Sequence, residues 1–360
     1  MTCAVCVAGR NSVKRAAWLA TAALAAALAP FPPAWVDTVY SSGVYPCLQA
    51  PVTSTSNLAP FALFDALVLT VAAAWLAALA VDVRRAGVTR AALAAVVRTV
   101  TWGAAAYLAF LLLWGFNYRR VPLARRLDFD AGAVTPAAAR RLAAVSVDRL
   151  NALASDAHRL GWRETSAIDP ALRDGLARTT RDLGLTMPVV GRPKRTLLDL
   201  YFRRAGVEGM TDPYLLETLV VSDLLPFERP LVIAHEWGHL AGLADESAAN
   251  FAGWLACVHG SIADQYSGWL FLYEELAAAL PRRDRDAIAA LLGAVPRADL
   301  AAARARVARN IQPQVSAAAW RAYDSYLKSN RVEAGTRSYD EVVQLVLGTR
   351  FGDDWTPRRR

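Results

Sequence analysis

Hydrophobic residues are concentrated in the N-terminal part of the chain, where three long apolar stretches follow one another. They run from about Ala17 to Val36, from about Leu58 to Val81 and from about Thr99 to Phe116. Each is close to the ~20 residues that an α-helix needs to cross a hydrocarbon layer of ~30 Å. The pattern therefore predicts three transmembrane helices within residues 1–116.

Two of these stretches are imperfect. The first resembles a signal peptide, because basic residues precede an Ala-rich run, but it is long and ends in prolines instead of a small-residue cleavage site. We interpret it as an uncleaved anchor. The second stretch contains Asp65, with Pro60 near its start, and a polar residue at such a position predicts a side chain that faces other helices.

The loops between the stretches differ in charge, which predicts an orientation. Basic residues precede the first helix and separate the second from the third, whereas the first loop has none. By the positive-inside rule, the N-terminus is cytoplasmic and everything after Phe116 is extracytoplasmic. A further basic cluster just after the third helix favours the opposite orientation: Arg119, Arg120, Arg125 and Arg126.

From residue 117 to residue 360 the pattern changes to that of a soluble, mainly helical domain, with charged residues at helical spacing. Thr135-Pro136 and Asp169-Pro170 are typical helix starts, and predict helices to about Leu160 and Leu183. Glycines and prolines between Val189 and Phe227 predict a short β-hairpin. Seven more helices are predicted, at about Pro230–Ala241, Asp245–His259, Asp264–Leu280, Arg283–Leu292, Asp299–Val307, Ser316–Ser329 and Ser338–Leu347.

Composition supports a membrane protein and argues against two other classes. Hydrophobic residues make up 55% of the chain and charged residues 20%. The net charge of +8 is not concentrated in one domain, because residues 1–116 contain seven Lys/Arg and three Asp/Glu, or +4. We therefore expect no nucleic-acid partner. Four scattered cysteines do not form a disulfide framework, and the Cys3/Cys6 pair lacks the context of a redox motif.

The informative motif is H-E-x-x-H, formed by His235, Glu236 and His239 within an otherwise uncharged run from Val232 to Ala241. Residues four apart lie on one face of a helix, so both imidazoles converge on one ion. Two histidines and a carboxylate hold Zn²⁺ with one position open for water, whose pKa the metal lowers. Glu236 then takes the water proton and passes it to the leaving amine. The motif predicts a zinc-dependent hydrolase.

The third zinc ligand is either Asp245 or Glu246. Gly242 can end the helix, and the following residues can return a carboxylate towards the metal. Asp245 has the spacing of some metzincins, whereas Glu246 begins a run typical of the glutamate helix of gluzincins, in which Asn250 would orient a ligand. Spacing alone does not decide between them.

The chain resembles the bacterial membrane family catalogued as domain of unknown function 3810, whose members look like zinc metallopeptidases. The resemblance covers nearly the whole chain. It rests on the Asp65 helix, Trp114 to Arg119, Lys194, Gly206 to Gly209, Pro213, Glu217, His235 to Gly242, Glu246, Ala249 to Phe251, Tyr266 to Gly268, Tyr326 to Asn330 and Ser338 to Val343.

This resemblance implies a zincin-like domain, supports the membrane anchor and places a glutamate at position 246, which favours Glu246 over Asp245 as the third ligand. The chain departs from the family pattern at Leu240, where glutamine is frequent, and at Ala248, where an acid is frequent. The family supplies no substrate.

Several other residues are candidates for roles near the metal. A tetrahedral oxyanion needs a further hydrogen-bond donor, and we favour Tyr266 over His259 and Tyr201. Lys194 and Glu217 are interpreted as substrate contacts or as a structural ion pair. We expect His158 on a helix surface, and the basic tail after residue 357 in solvent or at anionic lipid.

The leading hypothesis is a membrane-anchored zinc metallopeptidase that cleaves proteins or peptides near the bilayer. One alternative is a non-enzymatic zinc-binding envelope protein, for which His259 is the nearest spare histidine. The other is an intramembrane site-2-type protease, but the second aspartate that such enzymes need would be Asp199, which lacks a following glycine and lies outside the apolar stretches.

Overall fold

The computed structural model describes residues 2–163, 166–330 and 341–360, and the side chains from residue 11 onward. It is mainly helical. The helices are α1 (Thr2–Leu28), α2 (Pro33–Trp35), a π-helix (Val36–Val44), α3 (Tyr45–Ser56), α4 (Leu63–Ala86), α5 (Val88–Leu113), α6 (Pro136–Leu160), α7 (Pro170–Asp182), α8 (Asp199–Ala205), α9 (Arg229–Leu240), α10 (Glu246–Val258), α11 (Ile262–Ala279), α12 (Arg282–Ala289), α13 (Ala294–Asn310), α14 (Pro313–Ser329) and α15 (Glu341–Gly348). The strands are β1 (Pro193–Lys194), β2 (Gly209–Thr211) and β3 (Thr218–Val220).

Among the described residues, two helices are long and apolar enough to cross a membrane, namely α4 with 24 residues and α5 with 26. They form a hairpin that turns at Gly87. Within the hairpin, Arg98 pairs with Asp82, and the indole of Trp75 donates to the hydroxyl of Thr99 over 3.1 Å. Helix α5, which contains most of the third predicted span, begins at Val88 and ends at Leu113, so it starts well before Thr99.

The first predicted span differs most from expectation. Helix α1 ends at Leu28, and the following helical segment is bent by 104° from it. The prolines that begin at Pro30 lack the N–H groups that would continue the helix. The two helical parts, Asn11–Leu28 and Pro33–Ser56, are long and apolar enough to cross a membrane only if they count together as one broken span.

The side chain of Asp65 does not face another apolar helix, contrary to the prediction. Helix α4 begins at Leu63, after Pro60, so Asp65 is in its first turn. Its carboxylate accepts hydrogen bonds from the hydroxyl of Thr196 over 2.7 Å and from the N–H of Leu197 over 2.8 Å. Asp65 thus joins α4 to the rest of the chain.

Helix α1 packs along α5, so α1, α4 and α5 lie together. The guanidinium of Arg119 donates to the carbonyl oxygens of Ala26 and Ala27, over 3.1 and 3.0 Å, at the C-terminal end of α1. The C-terminal ends of α1 and α5 therefore meet on one side of this bundle. Asp65 brings the N-terminal end of α4 to the remainder of the chain in the same way.

The segment after α1 packs against residues beyond 117. The phenol of Tyr45 is buried and donates to the carbonyl oxygen of Leu240 over 3.0 Å. The side chain of Gln49 donates to the carbonyl oxygen of Val189 over 2.8 Å. Helix α3 is therefore part of the same packed core as the C-terminal part, although it precedes two apolar helices in the sequence.

The C-terminal part is a helical assembly around α10, which is packed against α7, α9, α11 and α15, while α11 also packs on α6. The predicted starts at Thr135 and Asp169 are confirmed, since each side chain accepts from an N–H in the first turn of its helix. The other predicted helices are present with shifted ends. Residues 338–340, the predicted start of the last helix, lie outside the described residues.

The predicted β-hairpin is one part of a small three-stranded sheet with the order β1-β3-β2. Strand β2 pairs antiparallel with β3, with Met210 opposite Leu219, and β1 pairs parallel with β3. Strand β2 is thus an edge strand. It packs against α9, the helix that carries the H-E-x-x-H motif.

Candidate metal centre

Helices α9 and α10 bring the three predicted metal ligands together. His235 and His239 lie on α9, and α10 begins with Glu246 after a turn at Gly242, which has a φ of 82°. Gly253 allows the two helices to approach closely, because a Cβ at this position would lie 2.9 Å from the backbone nitrogen of His235. The close packing turns Glu246 towards both imidazoles.

The ligand atoms form a compact triangle. The two imidazole Nε2 atoms are 3.1 Å apart, and the Oε2 atom of Glu246 lies 3.3 Å from that of His235 and 3.5 Å from that of His239. A tetrahedral zinc ion with bonds of about 2.0–2.2 Å holds its ligand atoms about 3.3–3.6 Å apart. The two distances to Glu246 lie within this range and the distance between the imidazoles is slightly below it, so the triangle is close to the dimensions of three ligands of one zinc ion.

Hydrogen bonding in the centre also fits a cation. The Nδ1 atom of His239 lies 2.7 Å from the carbonyl oxygen of Leu243, which can only accept, so Nδ1 carries the proton and Nε2 presents a lone pair. The buried Oε2 atom of Glu246 has no hydrogen-bond partner. A lone pair and a carboxylate oxygen facing each other repel unless a proton or a metal ion lies between them.

Charges in the centre shift the pKa values of its members. Burial by itself lowers the pKa of His239, but the carboxylate of Glu246 raises it, to about 9 overall. Burial by itself raises the pKa of Glu246, whereas the two imidazoles hold it well below its ordinary value. Each partner therefore favours the charged form of the other, an imidazolium beside a carboxylate.

Glu236 projects to the side of the triangle and is buried, with 3% of its surface exposed. Its Oε2 atom accepts a hydrogen bond from the hydroxyl of Thr211 over 2.8 Å, and Gly209 leaves the space that its Oε1 atom occupies. Burial raises the pKa of Glu236, although both imidazoles and Thr211 oppose this effect. A carboxylate with a raised pKa is suited to act as a general base near neutral pH.

Tyr323 is a residue of this centre that the sequence did not reveal. Its hydroxyl, on α14, donates to the Oε1 atom of Glu246, the oxygen that faces away from the imidazoles. Tyr323 stacks on Tyr326, one turn later, at a centroid distance of 5.8 Å. The segment from Tyr326 to Asn330 supported the family resemblance. Tyr323 lies one helical turn before Tyr326, and this proximity was the signal that could have pointed to it.

Asp245 does not act as the alternative third ligand, and Asn250 does not orient Glu246. The carboxylate of Asp245 caps α10 by accepting from the N–H of Ala248 over 3.0 Å, and it also accepts from the hydroxyl of Ser247. It is not a member of the ligand triangle. In the described part of the chain, no hydrogen bond joins Asn250 to Glu246, and Tyr323 provides that contact instead.

The structure does not bring Tyr266 to the metal centre. Its hydroxyl donates to Asp299 over 2.5 Å, and its ring packs edge-on against His158, which also bonds to Asp299. Tyr266 follows the motif closely in sequence, but α11 directs it towards α6 and α13. The prediction of an oxyanion donor at this position is therefore not supported by the geometry.

The remaining candidates also lie elsewhere. His259 contacts Thr179 and the carbonyl oxygen of Asp354, and Tyr201 is exposed on α8. His158 is half-exposed, as expected, but hydrogen-bonded to Asp299. Among the described residues, only His235, His239 and Glu246 form a group of three that could hold a metal ion.

Lys194 and Glu217 form a buried ion pair, which corresponds to the structural one of the two roles considered for them. The ammonium of Lys194 lies 2.5 Å from a carboxylate oxygen of Glu217, and both side chains are almost completely inaccessible. The same carboxylate accepts from the backbone N–H groups of Leu63 and Phe64, over 3.1 and 2.8 Å. Glu217 therefore caps the N-terminus of α4, where an anion is favoured by the helix dipole.

The metal centre is close to the end of an apolar helix. Trp114, directly after α5, packs edge-on against the imidazole of His239 at a centroid distance of 6.0 Å. Its indole N–H lies 3.4 Å from the carbonyl oxygen of the same residue. The last turn of α5 thus supports the helix that carries both histidines.

Comparison with known proteins gives one match. No curated protein matches the chain, and no solved structure does. The profile of a family described as a protein of unknown function, DUF3810, matches residues 40–347, which include both apolar helices and the whole metal centre. The chain therefore belongs to the DUF3810 family.

Proposed function

We propose that this protein is a membrane-anchored zinc metallopeptidase. The observation that carries the proposal is the convergence of His235, His239 and Glu246 at tetrahedral spacing, with the buried Glu236 beside them. Zinc bound there would supply a Lewis acid that polarises a carbonyl group and makes a water molecule acidic near neutral pH.

The chain's own residues provide the proton transfers and the substrate contacts of such a reaction. Glu236 accepts a proton from water and donates it to the leaving amine, while Thr211 holds the carboxylate in place. Strand β2 lies beside Glu236 and, among the described strands, pairs only with β3. An extended peptide could add to its other edge by backbone hydrogen bonds, which supports a peptide as the substrate.

The number of ligands favours an enzyme over a purely structural zinc site. Structural zinc sites have four protein ligands, whereas catalytic sites leave one position open. In the part of the chain that the structure describes, the triangle has no fourth His, Cys, Asp or Glu ligand, and His259 lies elsewhere. An intramembrane protease is less well supported, because α9 is not one of the helices apolar enough to cross a membrane.

The proposal includes a location, with the N-terminus in the cytoplasm and the metal centre on the extracytoplasmic side. Arg84 and Arg85 lie in the last turn of α4, at the end of the helix opposite Asp65. The basic cluster after α5, which favoured the other orientation, is largely occupied by contacts within the protein. Arg119 donates to the end of α1, and both Arg120 and Arg126 pair with Asp37. Positive charges at the far end of the bundle then determine the orientation.

A cleavage assay with a matched variant tests the activity. The full chain in detergent is incubated with a complex peptide mixture, and new termini are identified by mass spectrometry. We expect cleavage by the wild-type protein and a loss of about 10²–10⁴-fold in the Glu236→Gln variant, with its zinc content unchanged. Equal cleavage by both proteins would contradict the proposed mechanism.

A further inference from the structure

The extramembrane part of the chain has one concentrated apolar surface. Among the described residues after 116, eight large hydrophobic side chains are exposed, and four of them fall within residues 197–201. Leu197 is 73% exposed and Leu200 51%. The other four are scattered over the surface, at Val145, Leu160, Leu291 and Val295. Isolated exposed side chains are ordinary, whereas a cluster indicates a contact surface.

Helix α8 presents this cluster on one side. Leu200 and Tyr201 lie on α8, and Leu197 lies in the turn directly before it, so the exposed side chains are neighbours at the start of this helix. The opposite face is fixed to the protein, because Phe202 is buried and the carboxylate of Asp199 accepts from the N–H and the hydroxyl of Ser222 over 2.6 and 2.9 Å. The apolar face is therefore held outwards.

The exposed apolar residues at the start of α8 lie next to the first turn of α4. The N–H of Leu197 donates to Asp65 in the first turn of α4, so the cluster begins where the apolar helix begins. None of the residues of α4 is buried, and its exposed surface is apolar. Leu58 and Phe61, just before α4, are 83% and 58% exposed and add two apolar side chains at the same end of this helix.

The length of α4 places this region at the depth of the lipid headgroups. A helix of 24 residues is about 36 Å long, about 6 Å more than the hydrocarbon core. Its first turn therefore has room to lie in the interface, where aromatic residues such as Tyr201 and Phe61 are favoured. An apolar helix face beside a membrane crossing is typical of interfacial helices.

We propose that residues 197–201, together with Leu58 and Phe61, form a membrane-dipping surface that inserts into the boundary between headgroups and acyl chains next to α4. This surface would fix the extramembrane part against the bilayer at a second place besides the helices. The inference rests on α4 crossing the membrane and is independent of the metal centre.

Fluorescence of a label at position 200 tests the inference in the full chain. In a background with Cys3, Cys6 and Cys47 replaced by serine and the buried Cys257 kept, one accessible cysteine is introduced by Leu200→Cys, Leu291→Cys or Leu76→Cys and labelled with an NBD fluorophore. Leu291 is the matched control, since it is 58% exposed and far from α4 in sequence, and Leu76 lies within α4. Each protein is placed in nanodiscs with or without lipid carrying a nitroxide on the acyl chain.

We expect blue-shifted emission at position 200, and nitroxide quenching at least twofold stronger than at position 291. Emission and quenching like those at position 291 would overturn the inference. A blue shift without nitroxide quenching would also overturn it, in favour of a protein partner, and thermal unfolding of each labelled variant checks that the fold is kept. Zinc content is not a readout, so the result does not depend on the proposed activity.

Discussion

The Nδ1 atom of His239 donates to the carbonyl oxygen of Leu243 over 2.7 Å, and this bond directs the lone pair of Nε2 towards Glu246. Leu243 lies in the turn between α9 and α10, so the connection that positions the third ligand also orients the second. Outer hydrogen bonds of this kind fix the tautomer of a metal-binding histidine and raise its basicity.

Zinc affinity should depend on pH because a proton competes for the centre. The pKa of His239 is about 9 without metal, raised by Glu246 against the effect of burial, so the imidazole is protonated at neutral pH and must lose this proton to bind zinc. We expect the apparent affinity to rise about tenfold per pH unit between pH 6 and 8.5 and to fall on acidification. Chelator competition in detergent measures it. An affinity that is constant over this range would show that no ligand proton is displaced.

Tyr323→Phe removes the hydroxyl that donates to Glu246 without changing the packing of the ring on Tyr326. Loss of such an outer contact typically weakens metal binding about 10–100-fold. The same competition assay measures this effect, with Tyr201→Phe as the control on an exposed surface. An unchanged zinc affinity in Tyr323→Phe would mean that the hydroxyl does not position the ligand.

Gly209→Ala should separate activity from metal binding. A Cβ at position 209 would lie 2.6 Å from the Oε1 atom of Glu236, so the carboxylate must move away from its place. We expect the cleavage rate to fall about tenfold or more, since misplacement of a reacting group by about 1 Å is costly, while zinc content stays that of the wild type. Gly352→Ala is the control, because the nearest atom there is at 3.4 Å. Full activity in Gly209→Ala would argue against Glu236 as the base.

Lys194→Met should destabilise the fold strongly, because it leaves Glu217 as a buried carboxylate without its cation. Breaking such a pair typically costs about 3–5 kcal/mol. Thermal unfolding in detergent should show a large fall in Tm, and the double variant Lys194→Met/Glu217→Gln should lose less than the sum of the two single variants. The control Arg282→Met removes an exposed partner of Asp286 and should leave the Tm nearly unchanged. Equal effects of Lys194→Met and Arg282→Met would refute the structural role.

Local sequence signals predicted most helices of the C-terminal part and the approach of the two histidines, because both depend on neighbouring residues. Thr135 and Asp169 cap helices from their own positions, and His235 and His239 converge through the geometry of one helix. Contacts between distant segments were not accessible in this way. Tyr323 lies 77 residues after Glu246, and only the placement of α14 brings them together.

Two errors have the same origin. Tyr266 was favoured as the oxyanion donor, but the packing of α11 on α6 directs its hydroxyl to Asp299. Asp65 was expected to face other helices because its neighbours are apolar, whereas its carboxylate accepts from Thr196 and Leu197, which precede α8. In both cases a tertiary partner determined the environment of a polar group.

The zinc content of the purified full chain tests the central claim most directly. The wild type, Glu246→Ala and Asp245→Ser are measured side by side by atomic emission after dialysis, and serine at position 245 keeps a cap for α10. The account predicts about one zinc per chain in the wild type and in Asp245→Ser, and little or none in Glu246→Ala. A wild type without zinc, or a Glu246→Ala variant that retains it, would contradict a centre formed by His235, His239 and Glu246.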